Sequence, residues 1–197
     1  MKKIIFATGN AGKMKEIREI MNGSGYEVLS MKEAGISADI AEDGTTFEEN
    51  ALIKAAAVCA ASGEIALADD SGLEVDYLDK APGIYSARFL GEDTSYDIKN
   101  QYILDKLAGV CGQERSARFV CAIAAVFPDG RRETRTATIE GIIADRPAGE
   151  NGFGYDPIFY VPEYGCTTAE LTMEQKNRIS HRAKALNRMK EEVLCVQ

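Results

Sequence analysis

The sequence has few cysteines, and their spacing argues against the common uses of this residue. The five cysteines are odd in number and widely separated, and no Cys-x-x-Cys pair occurs. This pattern disfavours both a disulfide framework and a zinc site, and it predicts a protein of the reducing cytoplasm.

Long apolar runs are also missing. No stretch approaches the roughly 20 apolar residues of a membrane-spanning helix, so we expect no association with a membrane. The apolar run near the start, residues 4–7, is too short for a signal peptide and leads directly into a structured pattern.

Basic residues are also fewer than acidic ones. The chain has 23 lysines and arginines against 31 aspartates and glutamates, a formal net charge of −8. Such a charge disfavours nonspecific binding to nucleic acid. His181 is the single histidine, and a lone histidine is more often a hydrogen-bonded structural residue than a catalyst.

The composition that remains is that of a soluble globular protein. The 197 residues are 45% apolar and 27% charged. A chain of this length encloses one core of useful size, so we expect residues 1–197 to form a single domain with two lobes.

The sequence pattern centres on a pair of adjacent carboxylates. Residues 65–68 predict a short buried strand that ends in Asp69 and Asp70, followed by a turn at Ser71-Gly72. Strand ends of this kind hold ligands in open α/β sheets. Because adjacent carboxylates repel each other, a hard divalent cation such as Mg²⁺ is the expected partner. A plain polar turn is the alternative.

Charge is distributed unevenly along the chain. Residues 64–79 contain six carboxylates and no lysine or arginine, whereas residues 166–190 contain six basic and two acidic residues. The first segment suits a metal and the second suits anionic oxygens, although solvated faces of helices and turns produce the same pattern.

A possible anion site lies near the N-terminus. Residues 2–7 predict a strand, a helical pattern begins after position 13, and the loop between them is Thr8-Gly9-Asn10-Ala11-Gly12-Lys13. The first N–H groups of a helix are unpaired and attract phosphate, with Lys13 within reach. The spacing matches neither the P-loop nor the dinucleotide-binding pattern. A simple helix cap beside a surface lysine is the alternative.

A second helix is predicted from Thr46 to about residue 62, where Gly63 is a stop signal. Asn50 and Lys54 are four residues apart and share a face of this helix. Such a face is usually exposed to solvent, but this helix leads directly into the strand with Asp69, so the face could line the same site.

The remaining elements complete a mixed sheet. Residues 94–107 predict a helix, and residues 117–127 and 131–144 predict two strands joined by a turn at Pro128-Asp129-Gly130. Residues 167–194 predict helix with a break near Ser180, so that His181 and Arg182 occupy the first turn of the last helix.

One further stretch is unusual in composition. In Gly152-Phe153-Gly154-Tyr155-Asp156-Pro157, glycines alternate with aromatic residues. Glycine permits close backbone approach to a flat ligand, and the rings can stack on it. Core packing at a bend is the alternative.

Taken together, six motifs resemble the inosine triphosphate pyrophosphatase family, also called the XTP/dITP diphosphatases. They occur in family order and span nearly the whole chain: Thr8-Gly-Asn-x-x-Lys13, Glu42-x-Gly-x-Thr-Phe-x-Glu-Asn-Ala51, Ala68-Asp-Asp-Ser-Gly-Leu73, Ala81-Pro-Gly-Ile-Tyr-Ser-Ala-Arg88, Gly152-Phe-Gly-Tyr-Asp-Pro157 and Lys176-Asn-x-x-Ser-His-Arg182.

The resemblance implies an α/β fold with two lobes on a long mixed β-sheet flanked by helices, and an active site in the cleft between the lobes. It also implies a homodimer, a requirement for Mg²⁺, and hydrolysis of ITP, dITP and XTP to the monophosphate and pyrophosphate. By the same resemblance, this reaction would keep non-standard purines out of nucleic acid.

The motif match also implies residue roles. Asp70 would accept a proton and bind the metal together with Glu42, while Asp69 and Lys54 would support catalysis. The phosphates would be held by Thr8, Gly9, Asn10, Ala11, Gly12, Lys13 and Lys54; Ser71 would contact the nucleotide; and the base pocket would comprise Phe153, Gly154, Tyr155, Asp156, Lys176, His181 and Arg182.

The same match suggests how the base is selected. A donor such as Arg182 or His181 would pair with the C6 carbonyl of hypoxanthine or xanthine, and it would leave the amino group of adenine unsatisfied.

Some alternatives stay open at this point. Ala41 precedes Glu42 where the family often has another acid, and Asp43 follows it, so either Glu42 or Asp43 is the second metal ligand. A related pyrophosphatase for modified pyrimidine or ordinary nucleotides is a second possible function. A non-catalytic nucleotide-binding protein is a third, but it would not need the carboxylates.

Overall fold

A computed structural model describes residues 2–38 and 40–195 of the chain. It contains seven strands, which are β1 Lys2–Phe6, β2 Tyr26–Ser30, β3 Ile65–Val75, β4 Ser116–Val126, β5 Arg132–Ile143, β6 Phe159–Val161 and β7 Cys166–Thr167. The helices are α1 Ala11–Met21, α2 Phe47–Ser62, α3 Tyr96–Lys106, α4 Met173–Ile179 and α5 His181–Met189, and a π-helical turn, Lys190–Leu194, follows the last of them. Asp39 lies outside the described residues.

The strands form one sheet in the order β2-β1-β3-β4-β5-β6-β7. Strand β1 pairs in parallel with β2 and β3, whereas β6 pairs in antiparallel fashion with β5 and β7. The predicted α/β class with a mixed sheet and flanking helices is therefore confirmed. No helix in the described part of the chain is both long and apolar enough to cross a membrane.

The chain divides into two compact units. The first comprises Met1–Asp70, Cys121–Ala137 and His181–Gln197, and the second comprises Ser71–Val120 and Thr138–Ser180. Each unit has its own cluster of buried apolar side chains. In the first unit Ile4 and Phe6 of β1 pack with Ile17 of α1 and Leu186 of α5. Burial of consecutive apolar residues is typical of a strand with parallel neighbours on both sides.

Local sequence signals determine the ends of the helices. Thr46 caps α2 by accepting a hydrogen bond from the Glu49 N–H, and Gly63 ends this helix in the left-handed region, at a φ of 68°. Ser95 caps α3 in the same way. The predicted helices over residues 46–62 and 94–107 and the hairpin at Pro128-Asp129-Gly130 are confirmed to within two residues at each end, whereas α1 begins at Ala11, earlier than the predicted start after position 13.

The predicted turn at Ser71-Gly72 is wrong. Strand β3 continues through both residues to Val75, and the backbone N–H of Leu73 donates to Ser86 Oγ at 2.9 Å. Turn propensity describes what a local segment prefers when isolated. Pairing with neighbouring strands and burial override that preference here.

The predicted start of the C-terminal helical region is also wrong. Cys166–Thr167 forms β7, and helix begins only at Met173, after Thr172 and Gln175 form a capping box. The predicted break at Ser180 is confirmed, because α4 ends at Ile179 and α5 begins at His181.

Candidate active site

Asp69 and Asp70 lie on β3 and are 1% and 7% exposed, respectively. Successive side chains of a strand point to opposite faces of its sheet. In agreement with this geometry, the two carboxylates have different hydrogen-bonding and ionic partners. The continuous strand therefore separates the two adjacent negative charges.

Asp69 is bound by fixed cations of the first unit. Lys13 Nζ lies 2.9 Å from Asp69 Oδ2, and Arg182 Nη2 lies 3.1 Å from the same oxygen. Burial by itself would raise the pKa of Asp69, but Lys13 and Arg182 outweigh it and hold this pKa well below its ordinary value. Asp69 is consequently a permanent carboxylate that orients two cations.

Arg182 has a second carboxylate partner. Its Nη1 donates to Glu16 Oε2 at 2.5 Å, and Glu16 is only 4% exposed. Burial by itself would lower the pKa of Arg182, but Asp69 and Glu16 raise this pKa by a larger amount. The guanidinium therefore stays charged. Glu16 was not among the predicted site residues. The available signal was its position three residues after Lys13, on the same face of α1.

Asp70 has the environment of a proton acceptor. Asn50 Nδ2 donates to Asp70 Oδ2 at 3.1 Å, and Lys54 Nζ lies 3.5 Å from Asp70 Oδ1. Burial raises the pKa of Asp70, Lys54 opposes this effect, Glu42 adds to it, and the net shift is upward. A raised pKa makes a carboxylate a better base.

Helix α2 places Asn50 and Lys54 one turn apart on the face that meets Asp70, so both side chains are buried rather than exposed. Asn50 was not among the predicted site residues. Its Oδ1 accepts a hydrogen bond from the Gly44 N–H at 2.9 Å, so its amide links the loop after Glu42 to Asp70. A side chain at Gly44 would lie 2.7 Å from Asn50 Oδ1, which explains a glycine at that position.

The carboxylates around Lys54 suit one kind of metal. Lys54 Nζ lies 3.3 Å from Glu42 Oε1 as well as near Asp70, so two carboxylates share one cation. Among the described residues, no group of three or more histidine, cysteine, aspartate or glutamate side chains is placed to bind a metal. Mg²⁺ typically uses one or two protein carboxylates and takes its other ligands from water and phosphate. Glu42 and Asp70 therefore fit Mg²⁺.

Asp43 fits that role less well than Glu42. Its side chain is exposed, whereas Glu42 is half-buried and contacts the same ammonium group as Asp70. Of the two alternatives for the second metal ligand, this geometry favours Glu42.

The loop Thr8 to Lys13 leads into α1. Asn10 caps the helix, since its side chain accepts a hydrogen bond from the Lys13 N–H, while its own N–H donates to Thr8 Oγ1 at 3.2 Å. Gly9, Ala11 and Gly12 are exposed. The backbone N–H groups at the start of α1 are thus accessible to an anion.

The aromatic stretch of the second unit is organised by Asp156. This carboxylate accepts hydrogen bonds from the Phe153 N–H at 2.8 Å, from Lys176 Nζ at 2.7 Å and from Thr168 Oγ1 at 2.8 Å. Lys176 Nζ also lies 4.8 Å from the centre of the Phe153 ring. Asp156 is 3% exposed, so it holds the loop rather than offering itself to solvent.

Tyr155 is likewise an internal support. Its hydroxyl donates to the Ser86 carbonyl at 2.8 Å, and its ring meets the Tyr96 ring edge to face at 5.2 Å. Burial raises the pKa of Tyr155, with a smaller contribution from Tyr96. Phe153 and Gly154 are only half-buried and thus remain accessible to a flat ligand.

The structure therefore brings together several of the predicted residues within each unit. In the first unit Lys13, Asp69 and Arg182 form one group, and Glu42, Lys54 and Asp70 form another. In the second unit Phe153, Asp156 and Lys176 form a third. Ser71 is the next residue of β3 after Asp70, and His181 is the buried first residue of α5.

Comparison with known proteins identifies relatives over almost the entire chain. The model of the Ham1 family matches residues 4–192. A dITP/XTP pyrophosphatase of Desulforamulus reducens is 51% identical, over 96% of this chain and 94% of that protein. The dITP/XTP pyrophosphatase of Bacillus subtilis is 48% identical, over 96% of each chain.

Solved structures agree with this result. The Ham1 protein of Staphylococcus aureus superposes with a TM-score of 0.87 at 43% identity, and a HAM1 protein of Coxiella burnetii with a TM-score of 0.89 at 39% identity. In both cases the match covers 98% of this chain and 98% of the other.

Proposed function

The chain belongs to the Ham1 family, and from that premise we propose that it hydrolyses non-standard purine nucleoside triphosphates. The substrates are ITP, dITP and XTP, and the products are the nucleoside monophosphate and pyrophosphate. The relatives named dITP/XTP pyrophosphatase support this assignment, because their sequences are 51% and 48% identical to this chain over nearly its full length. The observation that carries it is Asp70, a buried carboxylate whose pKa is raised beside Lys54 and Glu42.

In the proposed reaction, a water oxygen attacks the α-phosphorus. The new P–O bond forms as the bond from the α-phosphorus to the bridging oxygen breaks, and pyrophosphate leaves. Asp70 accepts the proton of the water, and Asn50 holds the carboxylate in position. Lys54 offsets negative charge at the phosphates.

Mg²⁺ is the proposed cofactor, with Glu42 and Asp70 as its protein ligands. When bound, it supplies positive charge that neutralises phosphate oxygens. Support comes from the two carboxylates that lie 3.3 and 3.5 Å from the same ammonium group.

The remaining site residues bind the nucleotide in this proposal. Lys13 and the exposed backbone of Thr8 to Gly12 take the phosphates at the start of α1. Phe153, with Gly154, stacks on the purine, and Lys176 lies beside that ring. Tyr155 and Asp156 support the same loop, and Ser71, His181 and Arg182 complete the nucleotide contacts implied by the motif match.

Two broader properties follow from the family resemblance. We propose that the protein is a homodimer, which light scattering on the purified chain measures directly. We also propose a cytoplasmic location, which is supported by five cysteines that form no disulfide.

A substrate panel tests the proposed function. Pyrophosphate and orthophosphate release would be measured with and without Mg²⁺ on ITP, dITP, XTP, ATP, GTP and dTTP. We expect Mg²⁺-dependent pyrophosphate release from the first three. Equal rates on ATP, GTP or dTTP would indicate a pyrophosphatase of broader or pyrimidine specificity, and binding without turnover would indicate a nucleotide-binding protein.

A further inference from the structure

Helix α3 carries a buried polar side chain that has no part in the proposed chemistry. Asn100 is 4% exposed, and its Nδ2 donates to the carbonyl oxygen of Gly154 at 3.2 Å. Its Oδ1 is buried and has no hydrogen-bond partner among the residues that the structure describes.

Such an atom needs a physical explanation, because buried polar atoms in folded proteins nearly always have partners. Rotating the amide by half a turn would not help, since Oδ1 would then face the carbonyl oxygen of Gly154 and neither atom is a donor. An apolar residue of the same size would remove the unpaired oxygen, but it would also remove the donor to Gly154. The position is therefore explained by a requirement for an N–H donor at Gly154.

Tyr96 lies one turn before Asn100 and contacts the same loop. Its ring packs edge to face on Tyr155 at 5.2 Å, and it lies 3.6 Å from the place where a Cβ of Gly154 would be. Gly154 has a φ of +69°, a conformation that glycine adopts without the steric cost that a Cβ brings. Helix α3 thus contacts two consecutive residues of the loop. Asn100 donates a hydrogen bond to Gly154, and the ring of Tyr96 packs on Tyr155.

We propose that Asn100 is a positioning residue for recognition of the purine base. By holding the carbonyl of Gly154, it fixes the peptide plane between Gly154 and Tyr155, and so the position of the Phe153-Gly154 segment on which the base stacks. This inference rests on the proposed function, because it assumes that Phe153 and Gly154 contact the base.

The test compares Asn100→Leu with Gln101→Leu. Gln101 is the next residue of α3, and its exposed amide donates to Asp105, so the control removes the same chemical group from the same helix. For each protein, kcat and KM for ITP and ATP would be measured, together with the inhibition constant of tripolyphosphate, which has phosphates but no base.

In Asn100→Leu we expect kcat/KM for ITP to fall about tenfold to a hundredfold, mainly through KM, because small displacements of a binding group have effects of this size. The preference for ITP over ATP should narrow, and the inhibition constant of tripolyphosphate should not change. Gln101→Leu should behave like the wild type. Asn100→Ala, which removes the donor without adding apolar bulk, should repeat the result if Asn100→Leu folds poorly.

Two outcomes would overturn this inference but leave the proposed function intact. The first is an unchanged preference for ITP over ATP in the Asn100 variants. The second is a loss of tripolyphosphate inhibition in parallel with the loss of ITP turnover. A wild-type protein that does not prefer ITP to ATP would instead contradict the proposed function, and the inference with it.

Discussion

Asp69 and Asp70 are neighbours in the chain, yet their pKa values shift in opposite directions. Lys13 and Arg182 keep Asp69 ionised, whereas burial and Glu42 raise the pKa of Asp70. Two carboxyl groups whose environments separate their pKa values can take different chemical roles. Asp69 is suited to holding cations, and Asp70 is suited to accepting a proton.

Replacement of the proposed base should abolish turnover without preventing binding. We expect Asp70→Asn to lower kcat for ITP by about 10²- to 10⁴-fold, since a positioned general base contributes in that range. Glu64→Gln, an exposed carboxylate just before β3, is the control and should retain wild-type kcat. Pyrophosphate release measures turnover, and calorimetric titration with a non-hydrolysable analogue measures binding. A fully active Asp70→Asn would rule out Asp70 as the base.

The buried ion pairs of Arg182 should make a large contribution to stability. In Arg182→Met, Asp69 and Glu16 would both lose their guanidinium partner, and removing one partner of a buried pair costs about 3–5 kcal/mol. Urea denaturation at neutral pH gives the free energy of unfolding. Lys184→Met changes an exposed cation of the same helix and should alter stability by less than about 0.5 kcal/mol. Equal stability of the two variants would refute this assignment.

At the scale of elements, β3 and α2 together form the surroundings of the proposed base, Asp70. The unbroken strand sends its two aspartates to opposite faces. Helix α2 presents Asn50 and Lys54 one turn apart to the second aspartate. The loop before α2 is tied to the same group through the bond from Gly44 to Asn50.

The aromatic loop contains a glycine at a strained backbone position close to the Asp156 carboxylate. Gly152 has a φ of +76°, and a Cβ there would lie 2.2 Å from Asp156 Oδ2. Gly152→Ala should therefore displace the Asp156 carboxylate from the Phe153 N–H. The control is Gly165→Ala, at a φ of +67° but with its nearest neighbour 4.0 Å away. Urea denaturation gives the free energy of unfolding of each variant. We expect this free energy to fall by about 1–2 kcal/mol in the control, from the backbone conformation alone, and to fall clearly more in Gly152→Ala. Similar losses would show that the clash is relieved at no cost.

Sequence patterns predicted those features that depend on nearby residues. Thr46 and Gly63 mark the ends of α2 because capping is a local hydrogen-bonding problem. The course of β3 through Ser71-Gly72 depends on strand pairing and burial, which local turn preferences do not contain. The pairing of Glu16 with Arg182 joins residues 166 positions apart, so no pattern of spacing reveals it.

At the scale of the whole molecule, an ionic group outside the site should contribute to the dependence of stability on pH. Asp76 accepts hydrogen bonds from Arg118 and Ser116 and contacts Lys80. Hydrogen bonds from Arg118, then Lys80 and Ser116, hold the pKa of Asp76 well below its ordinary value of 3.8. A depressed pKa in the folded state gives stability that is present above the ordinary value and is lost as the pH falls through it and below.

Asp76→Asn should therefore lower stability at neutral pH by about 1 kcal/mol, a modest effect because the site is open to solvent. Below pH 3 the difference in stability between Asp76→Asn and the wild type should become smaller. Denaturation midpoints measured between pH 2 and 7 test this trend. A difference that stays constant across that range would show that the charge of Asp76 does not contribute.

The central claim is that water attacks the α-phosphorus of a non-standard purine triphosphate, and isotope labelling tests it most directly. ITP would be hydrolysed in H₂¹⁸O with Mg²⁺, and the products would be analysed by mass spectrometry. We predict that a single ¹⁸O appears in IMP and none in pyrophosphate. Label in pyrophosphate, or release of labelled orthophosphate, would contradict the account, because the attack would then occur at the β- or γ-phosphorus.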